Sequence, residues 1–491
     1  MKDIFRHAFI YGLAPVLQKA ASLVLLPLYT HYLAPSAYGE VELLTVITGA
    51  ITVLCGLEYG QGYMRAFIAA DGREKKRDIF SSSLLLVVLS GILGTLVFLA
   101  SLPMAGPTLL GRTLGPLYVA VVAVGLLFNI ATTIPRCTAQ AELWSARTVV
   151  VEFSTFVIGT LVSAYCIIVL GSGSIGFFIG ATIGSLISFF AFLWFCRKLW
   201  TVRIGGRETV GPILRFSYPL LGSALLYFVI RYSDRLVIGA MLSVAAVGIY
   251  SMTWKLANLL VTFVLIPFQR SFDAWRYRLY EEGGHEELLA RTFHHLIMAV
   301  AFFAVVLNTL IVDLFVALVD SRFVDAVLYL PPLSCGIILQ AGYMVVASAF
   351  FVTGRTGTWL KIFICGACAE VLGLLALVPL LSLYGAALAT TFANAVLYIV
   401  ALRSSRALWP VPYRHGPVVL TVAAVALIGT VHSVLRPHSF AGKEIVDVAL
   451  VAAYALFLFA TKMVLVGEVI AAGSWLLQKM TRAAGRLGAG A

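Results

Sequence analysis

The chain has 491 residues, of which 61% are hydrophobic and 12% are charged, and its mean hydropathy is +0.97. Soluble globular domains carry about 25% charged residues, so this composition excludes a soluble protein and indicates an integral membrane protein. In a soluble protein the formal net charge of +12 would point to nucleic acid. Here the basic residues concentrate in alternate loops between apolar segments. They therefore indicate membrane topology, and we expect no nucleic-acid partner.

The first apolar segment has the basic start of a signal peptide, since Lys2, Arg6 and His7 precede it. It continues past Lys19 to Tyr32 without a typical cleavage site, so we interpret it as the first membrane helix. A helical span needs about twenty apolar residues. With that length the chain is predicted to be an all-α polytopic membrane protein of about fourteen transmembrane helices. The predicted spans are 8–31, 40–63, 80–103, 115–135, 149–170, 174–196, 212–240, 246–269, 293–317, 328–352, 359–381, 383–402, 417–435 and 445–467.

Basic residues divide unevenly between the two sides of the predicted membrane. With the N-terminus inside, every inner loop carries Lys or Arg, including the run from Arg73 to Arg77. The outer loops hold only Arg112, Arg322, Arg436 and Lys443. Because cytoplasmic loops carry the excess of Lys and Arg, we expect both termini on the cytoplasmic side. The outer connections are short and house no catalytic domain, so we expect no enzyme.

Glycines recur at equivalent places along the chain. Gly39, Gly248 and Gly385 each follow an outer turn and open an even-numbered span rich in small residues. Span six opens similarly, with Gly176, Gly180 and Gly184 at the small-xxx-small spacing that permits close helix contact. Such a spacing lets two backbones approach each other within a bilayer.

This repetition predicts two pseudo-symmetric six-helix lobes related by an axis along the membrane normal, as in two-lobed transporters. The predicted N-lobe is 1–210 (spans one to six) and the C-lobe is 211–410 (spans seven to twelve). The remaining residues, 411–491, hold two additional spans and a cytoplasmic tail.

Charged residues within the spans are the strongest functional signal. Arg231, Asp234 and Arg235 share one face of span seven, and Lys255 follows in span eight. An ionised side chain at bilayer depth costs roughly 2.5–3.5 kcal/mol, so it needs a partner or a water-filled cavity. Together with Lys19 of span one, these residues predict a cationic cavity for an anionic substrate. The alternative is an internal ion pair of Asp234 with Arg231, which would leave Arg235 as the net charge.

Three further charged residues lie in or near the spans. Arg65, near the inner boundary of span two, either serves the cavity or extends to the lipid headgroups. Glu58 lies in the inner half of the same span. Glu370 falls midway along span eleven, where it is the best candidate for a protonatable group that couples an ion to transport; a hydrogen-bonded structural role is the alternative.

Motifs for metals and cofactors are weak. Cys365 and Cys368 form a C-x-x-C, but within an apolar stretch, so we interpret them as small residues of a buried helix. The eight histidines lack metal-ligand spacing. The segment 171–176, GSGSIG, has glycines at nucleotide-binding spacing but no preceding strand. We therefore predict no metal and no cofactor.

The segment SDRLVIGAMLSVAAVGIYSMTWKL resembles the pattern of Wzx-type polysaccharide flippases, in which D-R and a spacer precede G-I-Y-S and a basic residue. These flippases export lipid-linked oligosaccharides and belong to the multidrug/oligosaccharidyl-lipid/polysaccharide (MOP) superfamily. The resemblance extends over the whole chain through LPLYTHYLAPSAYGEVELL, GLEYGQGYMRAF and LSLYGAALATTFANAV. The residues that fall on family positions are Arg65, Asp234, Arg235, Gly248, Tyr250 and Lys255.

The resemblance implies a MOP/MATE-like transporter that moves undecaprenyl-pyrophosphate-linked repeat units across a bacterial inner membrane. Such units feed the biosynthesis of lipopolysaccharide O-antigen, capsule or exopolysaccharide. The implied partners are the lipid-linked oligosaccharide, membrane lipids and the polysaccharide polymerase machinery. The two C-terminal spans look like those that form a lipid-facing groove in the related flippase MurJ. Arginine and lysine are suited to bind the pyrophosphate, and alternating access would move it.

Two other functions remain open at this point. A MATE-like multidrug or cation antiporter of the same superfamily would need acidic cavities, whereas Lys19, Arg235 and Lys255 make the predicted cavity basic. A membrane-embedded enzyme such as a glycan polymerase would need a catalytic set, which the short outer loops do not supply.

Overall fold

The computed structural model of the chain describes residues 18, 21–22, 25–56, 58–201, 205–435 and 447–456. Within these ranges the backbone is helical apart from short connections, and no strand occurs. The predicted all-α fold is confirmed.

The helices of the first half are separated mostly by short turns. Several begin at proline, such as Pro35 and Pro116, because its fixed φ and missing N–H suit the first helical turn. They are α1 (Leu26–Tyr32), α2 (Pro35–Gly56), α3 (Tyr59–Ile68), α4 (Arg73–Ala105), α5 (Pro116–Ala131), α6 (Thr133–Ala141), α7 (Ser145–Ile168), α8 (Ser174–Cys196) and α9 (Arg207–Met241). A π-helical turn, Gly106–Leu110, extends α4, and a 3-10 turn, Arg197–Leu199, follows α8.

The second half is also helical, with more irregular turns between its helices. Two π-helical turns, Val261–Leu265 and Leu307–Ile311, join consecutive helical segments. A 3-10 segment, Ser321–Tyr329, precedes α14. The helices are α10 (Val244–Leu260), α11 (Ile266–Glu282), α12 (Glu286–Val306), α13 (Val312–Leu318), α14 (Leu330–Val346), α15 (Ser348–Val352), α16 (Thr356–Ser405), α17 (Gly416–Leu435) and α18 (Asp447–Leu456).

Ten helices within the described residues are long and apolar enough to cross a membrane, and they coincide with predicted spans two to twelve. The last of them covers two spans, because Ser382 has non-helical torsions (φ 54°, ψ −134°) that divide α16. Two shorter apolar helices fall on spans thirteen and fourteen. Span one lies mostly outside the described residues, so the count of fourteen stays a prediction.

Large apolar side chains cover the outer surface of the helices. On α4, Leu89, Leu93 and Leu96 are each more than half exposed. A soluble protein rarely exposes so large an apolar surface, whereas a membrane-spanning helix presents it to lipid. This surface explains why the helices have no clear polar face.

The chain divides into two compact units. The first takes in Met1–Thr253, Leu318–Ala326 and Phe363–Ala393, and the second takes in Trp254–Ala317, Val327–Ile362 and Asn394–Ala491. The two units are defined by the spatial proximity of their residues, whereas the predicted lobes 1–210 and 211–410 are defined by repetition in the sequence. The lobes therefore stay a prediction.

Within the first unit, glycines permit close contacts between helices. A Cβ on Gly180 of α8 would overlap the carbonyl oxygen of Gly159 in α7, and a Cβ on Gly159 would lie 2.9 Å from the carbonyl oxygen of Gly180. The close contact predicted from the glycine spacing of span six is confirmed.

Candidate functional site

The three charged residues of span seven lie on α9, in the first unit. Asp234 and Arg235 are 1% and 5% exposed, and Arg231 is half-buried. The Nη1 group of Arg235 donates to both carboxylate oxygens of Asp234, at 2.9 Å and 3.1 Å. The backbone N–H of Arg235 also donates to Oδ1 of Asp234, at 2.8 Å. Asp234 and Arg235 therefore form a buried ion pair with the short, charge-assisted geometry that low polarity requires.

This ion pair corrects one expectation from the sequence. The i, i+3 spacing pairs Asp234 with Arg231 and leaves Arg235 as the net charge. In the structure Arg235 pairs with Asp234, and its Nη1 group also donates to the carbonyl oxygen of Arg231, at 2.9 Å. The expectation about Arg235 is wrong because helical spacing positions Cβ atoms only, whereas a long guanidinium side chain can fold back along its own helix.

Glu370 forms another buried polar contact in the first unit. Its side chain is fully buried, and the hydroxyl of Thr390 donates to its Oε1 atom, at 2.9 Å. The two residues lie on either side of the break at Ser382, so the hairpin within α16 brings them together. The hydrogen bond that the sequence analysis offered as an alternative role for Glu370 is present.

These contacts belong to one electrostatic neighbourhood. The charges of Asp234 and Arg235 both act on Glu370. Tyr250 of α10 is fully buried, and it also interacts with these three residues. We refer to Asp234, Arg235, Tyr250, Glu370 and Thr390 as the buried charged cluster. The cluster carries both signs of charge.

The remaining predicted residues occupy other places. Arg65 of α3 is exposed, and its Cζ atom lies 4.7 Å above the ring of Phe216. Glu58 is half-buried at the break before α3, where its φ of 49° is left-handed. Lys255 is half-buried on α10, at a position assigned to the second unit. Lys19 lies outside the described residues.

Carboxylates near the start of span two were missed by the sequence analysis. Glu42 of α2 acts electrostatically on Arg235. Its neighbour Glu40 is 5% exposed and accepts two hydrogen bonds from Nη2 of Arg112, at 2.7 Å and 2.6 Å. The hydroxyl of Ser174 adds a third, at 3.1 Å. The signal was available, because both glutamates interrupt an apolar span as Glu370 does.

One group in the second unit has ligand atoms close enough to hold a metal ion. The ligand atoms of Asp313, His432 and Asp447 lie within 4.8 Å of one another. The Nε2 atom of His432 is 2.9 Å from Oδ1 of Asp447 and 3.8 Å from Oδ1 of Asp313. An imidazole N–H shared between carboxylates has the same arrangement, so we assign no metal. Sequence spacing missed this group because its members come from three separate helices.

The C-x-x-C cysteines are exposed rather than buried. The expectation that Cys365 and Cys368 are buried is therefore wrong. Periodicity cannot orient a helix that is apolar on all sides, and a small thiol is acceptable on a lipid-facing surface.

Comparison with solved structures identifies the fold. The lipid II flippase MurJ, in an inward closed conformation, superposes with a TM-score of 0.71 at 10% identity, covering 93% of this chain and 100% of MurJ. An inward-facing MATE-family multidrug resistance transporter of the MOP superfamily gives a TM-score of 0.65 at 16% identity, covering 85% and 94%. A MOP superfamily transporter from Pyrococcus furiosus gives 0.53 at 17% identity, covering 86% and 96%. At these identities the likeness shows a shared fold.

No curated protein matches the sequence closely enough to be counted as a relative. The family model described as polysaccharide biosynthesis protein matches residues 4–272, which is more than half of the chain. This match includes α2 to α10 and therefore the Asp234–Arg235 pair. The resemblance seen in the motifs of span seven is confirmed, and the chain belongs to the polysaccharide biosynthesis protein family.

Proposed function

We propose that this chain is a flippase that moves undecaprenyl-pyrophosphate-linked oligosaccharide repeat units from the inner to the outer leaflet of a bacterial inner membrane. The units would supply O-antigen, capsule or exopolysaccharide synthesis, with both termini of the flippase in the cytoplasm. Membership of the polysaccharide biosynthesis family supports the glycan, and the shared fold with a lipid II flippase supports transport of a lipid-linked form. The observation that carries the proposal is the buried ion pair of Asp234 and Arg235 within a span.

The chemistry of the pyrophosphate explains why such a pair is useful. A guanidinium binds phosphate oxygens through several N–H groups at once, and it stays charged in a medium of low polarity. In the structure Asp234 pairs with Arg235 and offsets its charge. An arriving pyrophosphate would compete with Asp234 for Arg235. Arg231 lies one helical turn away, where it would also bind the pyrophosphate. We keep Lys19, Arg65 and Lys255 as sequence predictions for the same role.

The same competition supplies a route to ion coupling. When pyrophosphate binds Arg235, the carboxylate of Asp234 loses its charge partner. Asp234 then stands as a second carboxylate in the electrostatic neighbourhood of buried Glu370. Two buried carboxylates are strongly disfavoured unless a proton or a metal cation joins them. We therefore assign Asp234 and Glu370 to the binding of a coupling proton or sodium ion. Glu58 stays a sequence prediction for this role.

A MATE-like cation antiporter is the alternative, and the full burial of Glu370 in a MATE-like fold favours it. A cationic drug would bind Glu370 and Asp234 directly, without the arginines. Arg231 and Arg235 on the same face of α9 oppose that function, because like charges in a low-polarity site repel a cationic substrate.

The function is tested with purified full-length protein in proteoliposomes that contain an undecaprenyl-pyrophosphate-linked oligosaccharide. A lectin or glycosidase outside the vesicles measures how much glycan reaches the outer leaflet. We expect the protein to accelerate this appearance well above protein-free vesicles. Equal rates of glycan appearance with and without protein, together with uptake of a cationic dye, would contradict the flippase function and support the antiporter function.

Arg235→Gln tests the site, with Arg278→Gln on α11 as a matched control. Arg278 is an exposed cation, so its loss should leave glycan transport unchanged. Removing only one partner of a buried pair destabilises a protein, so the double variant Asp234→Asn with Arg235→Gln is included to restore neutrality. If the double variant folds and transports normally, the pair does not handle substrate.

A further inference from the structure

A cavity of about 920 Å³ opens on the first unit, and none of its lining residues belongs to the buried charged cluster. Three connections meet there: 70–73 between α3 and α4, 142–144 between α6 and α7, and 197–199 after α8. All three are loops that the charge pattern predicts to be cytoplasmic. The cavity therefore lies where the helices of this unit meet one membrane surface.

The cavity wall is strongly basic. Five cations line it against two carboxylates, Asp71 and Glu142. Lys76 and Glu142 neutralise each other, with 3.3 Å between Nζ and Oε1. The wall therefore keeps a formal net charge of +3. The cations that line the cavity are Arg73, Lys76, Arg147, Arg197 and Lys198.

Aromatic rings hold two of the guanidinium groups in place. The Cζ atom of Arg197 lies 4.0 Å above the ring of Trp194. The Cζ atom of Arg147 lies 5.7 Å from the ring centres of both Trp144 and Phe195. Cation–π contact positions a guanidinium without using its N–H groups, which stay available for phosphate oxygens.

The floor of the cavity is apolar, and the surface beside it faces outward. Trp144 and Phe195 pack on the buried residues Ala139, Val151 and Phe192. Leu143, Val150 and Trp194 are each at least 60% exposed next to the cavity. A basic wall, an apolar floor and an exposed apolar border match an amphiphile with a phosphate headgroup better than a soluble anion.

The basic wall is also anchored to the helices. The Nε group of Arg77 donates to the carbonyl oxygen of Lys198, at 3.0 Å, and the backbone N–H of Thr201 donates to the hydroxyl of Ser81, also at 3.0 Å. These bonds attach the connection after α8 to the first turns of α4. The cations of the cavity therefore project from a structured surface.

We propose that this cavity binds the phosphodiester headgroup of an anionic phospholipid, with its phosphate between Arg147 and Arg197 and its acyl chains along the exposed face of α7 and α8. The lipid is a resident of the membrane, and the site is separate from the one proposed for transport. Basic pockets between transmembrane helices at the cytoplasmic surface are known to bind such headgroups.

The test uses purified full-length protein in a neutral detergent, titrated with phosphatidylglycerol or with phosphatidylcholine, and intact-complex mass spectrometry counts the bound lipids. We expect phosphatidylglycerol to remain bound at least tenfold more often than phosphatidylcholine. The double variant Arg147→Gln with Arg197→Gln should lose that preference, whereas Arg278→Gln and Arg403→Gln should keep it. An unchanged preference in the double variant would overturn the proposal.

Two further arms separate the possible sources of phosphate. Inorganic phosphate at millimolar concentration should leave bound phosphatidylglycerol in place; full displacement would show a free-anion site instead. A phosphatidylglycerol with a photoreactive acyl chain should label peptides that contain Leu143 to Val150 or Phe190 to Trp194. Labelling confined to other peptides would contradict the assigned position.

Discussion

Gly39 and Gly248 lie against each other where the first turns of α2 and α10 meet within the first unit. A Cβ added to Gly39 would lie 2.9 Å from the backbone nitrogen of Gly248, and a Cβ added to Gly248 would lie 3.0 Å from the backbone nitrogen of Gly39. Either Cβ would also overlap a carbonyl oxygen, that of Val244 or that of Pro35. Gly39 and Gly248, which the repeated sequence pattern singles out, therefore form one close contact between α2 and α10.

Gly248→Ala should destabilise the protein, because its new methyl group meets backbone atoms that cannot move independently. Overpacking costs typically 1–3 kcal/mol and more when backbone must shift, so we expect a loss of at least about 2 kcal/mol. Gly222→Ala is the matched control, since a Cβ there has nothing within 4 Å and gains roughly 1 kcal/mol of helix propensity. The measurement is the temperature at which each variant loses its monodisperse peak in detergent. Equal melting of the two variants would contradict the close contact.

Thr390→Val should destabilise the fold through Glu370. The substitution keeps the shape of the side chain but removes the hydroxyl that donates to the buried carboxyl group, at a cost of about 1–3 kcal/mol. Thr391→Val is the control, because the Thr391 hydroxyl donates to the carbonyl oxygen of Ala387 in its own helix. Glu370→Gln should keep the hydrogen bond and the melting temperature but abolish ion-driven transport. Ion dependence that survives in this variant would remove Glu370 from the coupling role.

Arg322→Gln should weaken the attachment of the segment after α13 to the end of α1. Nη2 of Arg322 donates to the carbonyl oxygens of Thr30 and His31, both at 3.2 Å, and Nε donates to Asp320, at 2.7 Å. These carbonyls have no partner further along α1, so a cation is favourable there. We expect a small decrease in melting temperature at neutral pH, with no decrease in the exposed-cation control Arg403→Gln.

The same substitution has a pH dependence with a defined sign. Hydrogen bonds from the side chain and then the backbone of Arg322 lower the pKa of Asp320 below its ordinary value of 3.8. The ionised carboxylate therefore stabilises the fold above that value, and the contribution is lost as the pH falls through the folded pKa. Melting curves from pH 7 to pH 3 should show wild type and Arg322→Gln converging at the acid end. A constant difference across this range would exclude Asp320 as the titrating group.

His415→Gln should make the protein less sensitive to mild acid. Burial, and then the charge of Arg406, lowers the pKa of His415 below its ordinary value of 6.5, and the Tyr398 hydroxyl lies 3.1 Å from its Nδ1 atom. The unfolded chain then binds a proton more readily than the folded one, so stability decreases as the pH drops below 6.5 towards the folded pKa. Between pH 7.5 and pH 5, the melting temperature of the wild type should decrease more than that of the variant. His285→Gln serves as control and should behave like wild type, because the His285 side chain is 43% exposed.

The sequence alone predicted the number and position of the described spans closely. Spans two to twelve were placed correctly because the thickness of a bilayer sets the length of each apolar run, which is a local property of the chain. The sequence also located the charges of Asp234, Arg235 and Glu370 within apolar spans, and its D-R and G-I-Y-S pattern indicated the family.

Only the tertiary structure decided which of these residues meet. It paired Arg235 with Asp234, placed Thr390 against Glu370 through the break at Ser382, and positioned Arg65 over Phe216. It also brought three distant connections together into one basic cavity. Hydropathy and spacing determine where a helix crosses the membrane, but they do not determine its rotation or its neighbours, which depend on side-chain packing between helices far apart in sequence.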